Sequence, residues 1–225
     1  MTKVAELYEE GRNRVSELAS KGPDDVGVPT CPDWTVHDVV AHVVGVCADV
    51  MAGNIEGVAT DPWTAAQVEA RRSHTIAELL AEWDDVGPPV AQMADQFGAA
   101  GHQLLFDLTS HEHDIRTALG RPGARDHESV ADAIEFVVAG LIGTTIDERG
   151  LAPLELVTDL GTFVAGSGAQ PRVRLEAPAF EVMRALSGRR SAPQMAAYDW
   201  GVDPQRYIPA LVGGPFTLPP SDIAE

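Results

Sequence analysis

Cysteine is scarce: two residues in 225, Cys31 and Cys47, with no Cys-x-x-Cys pair. That excludes a disulfide framework and a thiolate-rich zinc site, and it leaves each cysteine as a small core residue rather than a nucleophile. Positive charge is scarce too. Against 34 acidic residues stand 16 lysines and arginines, a formal charge of −18. Such a field disfavours nucleic acid and anionic membrane surfaces, and it repels anionic substrates at long range. A dicarboxylate site would therefore need local arginines. Long apolar runs are missing as well: the longest, 136–146, is too short to span a bilayer. The first residues read as the start of an amphipathic helix with early acids, not as a secretion signal. The expectation is a cytoplasmic protein with neither nucleic-acid nor membrane partners.

What is present is an ordinary globular composition, 44% hydrophobic and 22% charged, long enough for one large domain or two modest ones. Helical spacing covers 4–19, and Gly22-Pro23 ends it. A loop to Asp33 leads into a helix carrying His42 and reaching about 54, with Thr35 as its cap and Asp38 near the positive end of its dipole. A third helix is expected within 63–86, broken by Gly87-Pro88-Pro89, with a short helix at 90–96. Further helices cover 99–119 and 129–146. Beyond 148 the pattern changes to strands at 154–159 and 172–176, turn glycines at 161, 166 and 168, and helices at 178–186 and 193–198. Residues 215–225 read as a Pro-rich, loosely held tail. The fold class expected is α+β: a helical bundle over 1–150, then a small α/β domain over 151–225.

Asp107 and His111 stand four residues apart in a helical segment, so they share one face, one turn apart. A carboxylate and an imidazole so placed can bind one metal ion, although solvated or hydrogen-bonded pairs with this spacing are commoner. At about 100° per residue, Leu104, Leu108, Ile115 and Leu119 cluster on one face, with His111 inside the cluster and Asp107 at its edge. An ionisable pair at the margin of an apolar stripe is costly unless it is paired or metal-bound. The same wheel turns His113 toward solvent and puts Glu112 and Arg116 on the far flank. The candidate third ligand is His42, at the border of the stripe Val36, Val39, Val40, Val43 and Cys47. On its own it reads as a half-exposed histidine. Three protein ligands plus one open position would make a catalytic rather than a structural zinc site.

Pro32, Trp34, Thr35, Val36, Asp38, Val39, Val40, Ala41, His42 and Gly45 together resemble the first signature of the mycothiol-dependent maleylpyruvate isomerase family, a branch of the DinB-like four-helix-bundle proteins. His111, Asp114, Ile115, Arg116, Ala118, Leu119, Gly120 and Pro122 resemble its second signature. Arg184, Leu186, Ser187, Gly188, Arg189, Arg190 and Ser191, with Gln194 and Trp200, resemble its small C-terminal domain, related in shape to sterol-carrier proteins. Aligned on Asp114-Ile115-Arg116, the second signature makes His111 the ligand histidine. The resemblance implies a metal triad of His42, Asp107 and His111. Asp107 stands where the family often has glutamate, one methylene longer, and aspartate also binds zinc.

The implied cofactors are a divalent metal, zinc first with nickel or iron also compatible, and the thiol mycothiol. The implied chemistry is thiolate addition to the activated double bond of maleylpyruvate, rotation about the resulting single bond, and loss of the thiol to give fumarylpyruvate. If the adduct is kept, the same site is a mycothiol S-transferase. Arg184 and Arg189, in the densest basic cluster, are the candidates for binding substrate carboxylate. The alternative is a solvated helix end offsetting the helix dipole. Asp33 and Trp34 read as anchors of the helix start, and Asp114 and Arg116 as groups that hold a ligand residue from behind or form an inter-helix ion pair. The competing class is a non-catalytic metal- or ligand-binding module, for instance a regulator. A monomer or homodimer acting on a small molecule is expected.

Overall fold

The computed structural model describes residues 3–214 and 216–225. Met1 and Thr2, counted above in the N-terminal helix start, and Pro215, the first residue of the expected tail, lie outside the described residues. The chain divides into two compact units, Met1–Gly123 with Glu225, and Ala124–Ala224. The division falls ahead of the helix that begins at Glu128, not at 150, because that helix packs on a helix of the second unit.

The first unit contains α1 (Lys3–Lys21), the hairpin β1 (Gly27–Val28) and β2 (Cys31–Thr35), α2 (Val36–Ala52), α3 (Asp61–Arg71), α4 (Ile76–Ala94) and α5 (Ala99–Ala118). Helices α1, α2, α4 and α5 pack on one another as a bundle, and α3 lies against α2. The core is built from Leu7, Val15, Val39, Val40, Val43, Leu79, Trp83, Leu105, Leu108 and Ile115. A reciprocal capping box starts α2: the Thr35 side chain accepts from the Asp38 amide, and the Asp38 carboxylate accepts from the Thr35 amide at 2.9 Å. Gly53 ends α2 in the left-handed region, φ 71°.

Three sequence expectations change here. The single helix expected within 63–86 is two, because Thr75 and Glu78 form a second capping box that starts α4. The break at Gly87-Pro88-Pro89 does not occur; α4 runs through both prolines. An interior proline costs about 3 kcal/mol, so the pair costs about 6 kcal/mol. Leu79, Trp83 and Val90 form one buried stripe across the prolines, and burying each contributes about 1.5–3 kcal/mol, enough to offset that cost. Gly87 helps: a Cβ there would lie 2.8 Å from Arg12 Cδ, so glycine lets α1 approach. The loop expected before Asp33 contains the β1–β2 hairpin, paired antiparallel.

The helical wheel of α5 is also corrected. His113 is only 2% exposed, and Glu112 is buried too. The wheel gives the angle of each side chain but not the number of neighbours. Helix α5 touches α1, α2, α4 and β1, so few of its sides remain for solvent. The Glu112 carboxylate is tolerated because Arg14 binds it in a bidentate manner, Nε to Oε1 at 2.8 Å and Nη2 to Oε2 at 2.8 Å, and Arg116 adds a bond at 2.9 Å.

The second unit contains α6 (Glu128–Val137), a π-helical turn (Val138–Ile142), α7 (Gly143–Glu148), β3 (Leu154–Thr158), β4 (Gly161–Ala165), β5 (Val173–Glu176), α8 (Ala179–Leu186), α9 (Ala192–Ala196) and β6 (Asp199–Trp200). The sheet order is β4-β3-β5-β6, with β3 and β5 parallel and the other pairs antiparallel. Leu154 opposes Ala165 and Leu156 opposes Leu175, and all four side chains are buried on one face. The continuous run Glu128–Glu148 is long and apolar enough to cross a membrane by length and composition, more than the 136–146 run suggested. Ala133, Ile134, Ile142 and Ile146 are buried along one side of it, and α6 packs on α8. The end of the chain is held: Asp222 accepts from Ser191 Oγ, and Gln194 Nε2 donates to the Ile223 carbonyl at 2.8 Å. The reading of residues 216–225 as a loose tail is therefore corrected.

Candidate metal centre

Helix α2 carries His42 and helix α5 carries Asp107 and His111, and their packing brings the three side chains together. His42 Nε2 lies 3.5 Å from Asp107 Oδ1, and His111 Nε2 lies 3.6 Å from the same oxygen. One ligand atom from each residue lies within 4.8 Å of the other two. These separations are longer than an ordinary N–H···O hydrogen bond. They suit a shared ion. Metal–ligand bonds of about 2.0–2.2 Å span a tetrahedral edge of about 3.4 Å.

Each imidazole is held through its other nitrogen. His111 Nδ1 is 3.0 Å from Asp114 Oδ2, and Asp114 also accepts from Thr30 Oγ1 at 2.7 Å and lies 3.7 Å from Cys31 Sγ. His42 Nδ1 is 2.8 Å from Gln67 Oε1 on α3, and Gln67 Nε2 donates to Asp49 Oδ2 at 2.7 Å. Nδ1 contacts of this kind leave the Nε2 lone pairs facing inward, the arrangement of a metal-binding histidine with its orienting partner. The donor set, two imidazoles and one carboxylate, therefore fits a zinc-type ion. The Asp107 side chain keeps 33% of its surface exposed, so the cluster opens to solvent on that side. Trp34, delivered by β2, borders the site with its ring centroid 5.3 Å from that of His42 and 6.0 Å from that of His111.

His42, expected on its own to be half-exposed, is buried. His113 stands on α5 beside Glu112 and belongs to neither candidate ligand group among the described residues. Cys31, His111 and Asp114 form a second group by distance. There the Asp114 carboxylate already accepts from His111 and Thr30, so it reads as an orienting group. Gln67 and Asp49 were missed in the sequence. Asp49 follows His42 by two helical turns, which was the available signal; Gln67 gave none, since α3 was not seen as a separate helix. Next to the site, Tyr8 Oη and Cys47 Sγ are 2.9 Å apart and buried. Burial pushes the Cys47 thiol up to about 11, and the Asp107 carboxylate adds to the shift. Cys47 is thus an inert core residue, as expected.

Arg184 and Arg189 belong to the second unit. The solvated-helix-end alternative fails, since Arg184 is 0% and Arg189 8% exposed. Arg189 donates to the Ser187 carbonyl, and Arg190 pairs with Glu181 at 2.6 Å.

Known proteins share the fold. A crystal structure of a mycothiol-dependent maleylpyruvate isomerase is similar at TM-score 0.56 and 10% identity, over 89% of this chain and 92% of that one. A mutant of such an isomerase, with a histidine changed to alanine, is similar at TM-score 0.54 and 10% identity over the same shares. At that identity the likeness shows the fold. No curated protein sequence matches the chain. The family model described as the mycothiol maleylpyruvate isomerase N-terminal domain matches residues 4–128, more than half of the chain, and the chain belongs to that family.

Proposed function

We propose that this protein is a metal-dependent enzyme that uses mycothiol on a small electrophilic metabolite, as a maleylpyruvate cis–trans isomerase or a mycothiol S-transferase. The observation that carries the reading is the convergence of His42, Asp107 and His111 with both imidazoles held at Nδ1. A bound zinc ion would supply positive charge that favours the thiolate of a thiol whose free pKa is about 8.5. The chain's own residues do the positioning. Gln67 and Asp114 hold the rings, the partly exposed Asp107 side leaves a way in for solutes, and Trp34 supplies an apolar wall beside the rings. Of the two arginine candidates for carboxylate, both in the second unit, only Arg189 has exposed surface. A cytoplasmic location accompanies the reading, since a free thiol cofactor stays reduced there.

The test is calorimetric titration of mycothiol into zinc-loaded and metal-stripped protein, followed by an assay for fumarylpyruvate formed from maleylpyruvate. Thiol binding that depends on zinc supports the enzyme. Zinc-loaded protein with no affinity for the thiol refutes it and leaves a metal-binding module. Thiol binding with a stable conjugate, and no isomerised product, selects the transferase.

A further inference from the structure

Gln67 is a neutral amide with a donor end and an acceptor end, and either end could face His42. What decides is Asp49. Its carboxylate only accepts, and Gln67 Nε2 donates to it at 2.7 Å, so the amide oxygen is left for His42 Nδ1 at 2.8 Å. Asn54 Nδ2 donates to the other Asp49 oxygen at 2.9 Å and holds the carboxylate in place. An acceptor against Nδ1 requires the proton there, which leaves the Nε2 lone pair toward Asp107. On the opposite ring, Asp114 does this directly, without an intermediary. The two histidines are thus oriented by different devices, one charged and one relayed.

We propose that Asp49 is a positioning residue, which acts through Gln67 to fix the Nδ1–H tautomer of His42 before any ligand arrives. The inference rests on the metal reading of His42 only for its consequence, metal affinity; the tautomer belongs to the protein alone. Close approach makes the relay possible. A Cβ on Gly45 would lie 2.6 Å from Gln67 Cβ, so only glycine at that point of α2 lets α3 bring the amide to His42.

The test uses the full chain with Asp49→Ala, Gln67→Glu and the double substitution. Asp49 is partly exposed in the last turn of α2, where alanine suits the helix. Two quantities are read: the His42 tautomer, from long-range nitrogen–proton NMR of metal-free protein, and zinc affinity, from chelator competition. Asp49→Ala frees the amide to turn, so the Nδ1–H tautomer is lost or mixed and zinc binds at least tenfold more weakly. Gln67→Glu has no donor end, so the tautomer stays even without Asp49. In that background Asp49→Ala removes a like-charge neighbour and tightens zinc binding instead of weakening it. A simple structural role for Asp49 would not reverse sign in this way. The proposal is overturned if Asp49→Ala leaves the tautomer unchanged, or if its effect on zinc is the same in both backgrounds. If the tautomers behave as stated but the unsubstituted protein binds no zinc, the relay stands and the metal reading alone falls.

Discussion

Removing the negative charge of Asp114 while keeping its shape separates metal tuning from folding. Asp114 is fully buried and meets His111 Nδ1, Thr30 Oγ1 and Cys31 Sγ. In Asp114→Asn the side-chain carbonyl, kept at the Oδ2 position, still accepts from His111, and the new amide group at the Oδ1 position faces the Thr30 hydroxyl, which can accept. The metal-free protein should therefore lose only about 1 kcal/mol. The imidazole loses its charged partner, and partners of this type are worth about 10–100-fold in metal affinity. That corresponds to about 1.4–2.7 kcal/mol. The effect is visible in unfolding. With free zinc at about 1,000 times the parent Kd, binding adds about 4 kcal/mol of stability. A roughly 30-fold weaker variant would gain only about 2 kcal/mol at the same zinc concentration. Chelator competition and denaturant titration with and without zinc measure both quantities. The reasoning is refuted if zinc affinity stays within twofold of the parent while the metal-free variant is strongly destabilised. Asp114 would then be a buried structural carboxylate.

Other expected outcomes follow from the same geometry. His111→Ala should abolish stoichiometric zinc in elemental analysis, whereas His113→Ala should keep it and lose about 1–3 kcal/mol of stability, because His113 is buried away from the candidate ligands; the opposite ranking of metal content would reject the ligand assignment. Gly45→Ala should weaken zinc binding without touching a ligand, since the new Cβ meets Gln67 Cβ at 2.6 Å; unchanged affinity in a folded variant would show that α3 can shift without cost. Cys47 should resist alkylation in the folded protein at neutral pH. Its thiol is raised from 9.0 to about 11, so its contribution is intact below pH 9 and is lost as pH rises through 11, by about 3 kcal/mol at most. Stability rising across that range would contradict the burial of Cys47.

The sequence by itself determined helices α1, α2 and α5 of the bundle, the start of α2 at Thr35, and the pairing of Asp107 with His111 on one turn, because these depend on spacing along a single element. It also determined β3 and β5 of the second unit, where apolar residues alternate, but not β4, whose Gly161 reads as a turn. The tertiary structure alone decided how many sides of α5 are covered. Three helices and a strand surround it, so Glu112 and His113, solvent-facing on an isolated wheel, are inside. It likewise decided that α4 survives Pro88 and Pro89, because the stripe on either side of them is buried against neighbours no local rule contains. Helix α3 shows the limit most clearly. Gln67 has no periodic or motif signal, yet it reaches His42 because Gly45 leaves room for the two helices to meet. Local spacing fixes which side chains share a face; only packing fixes what that face meets.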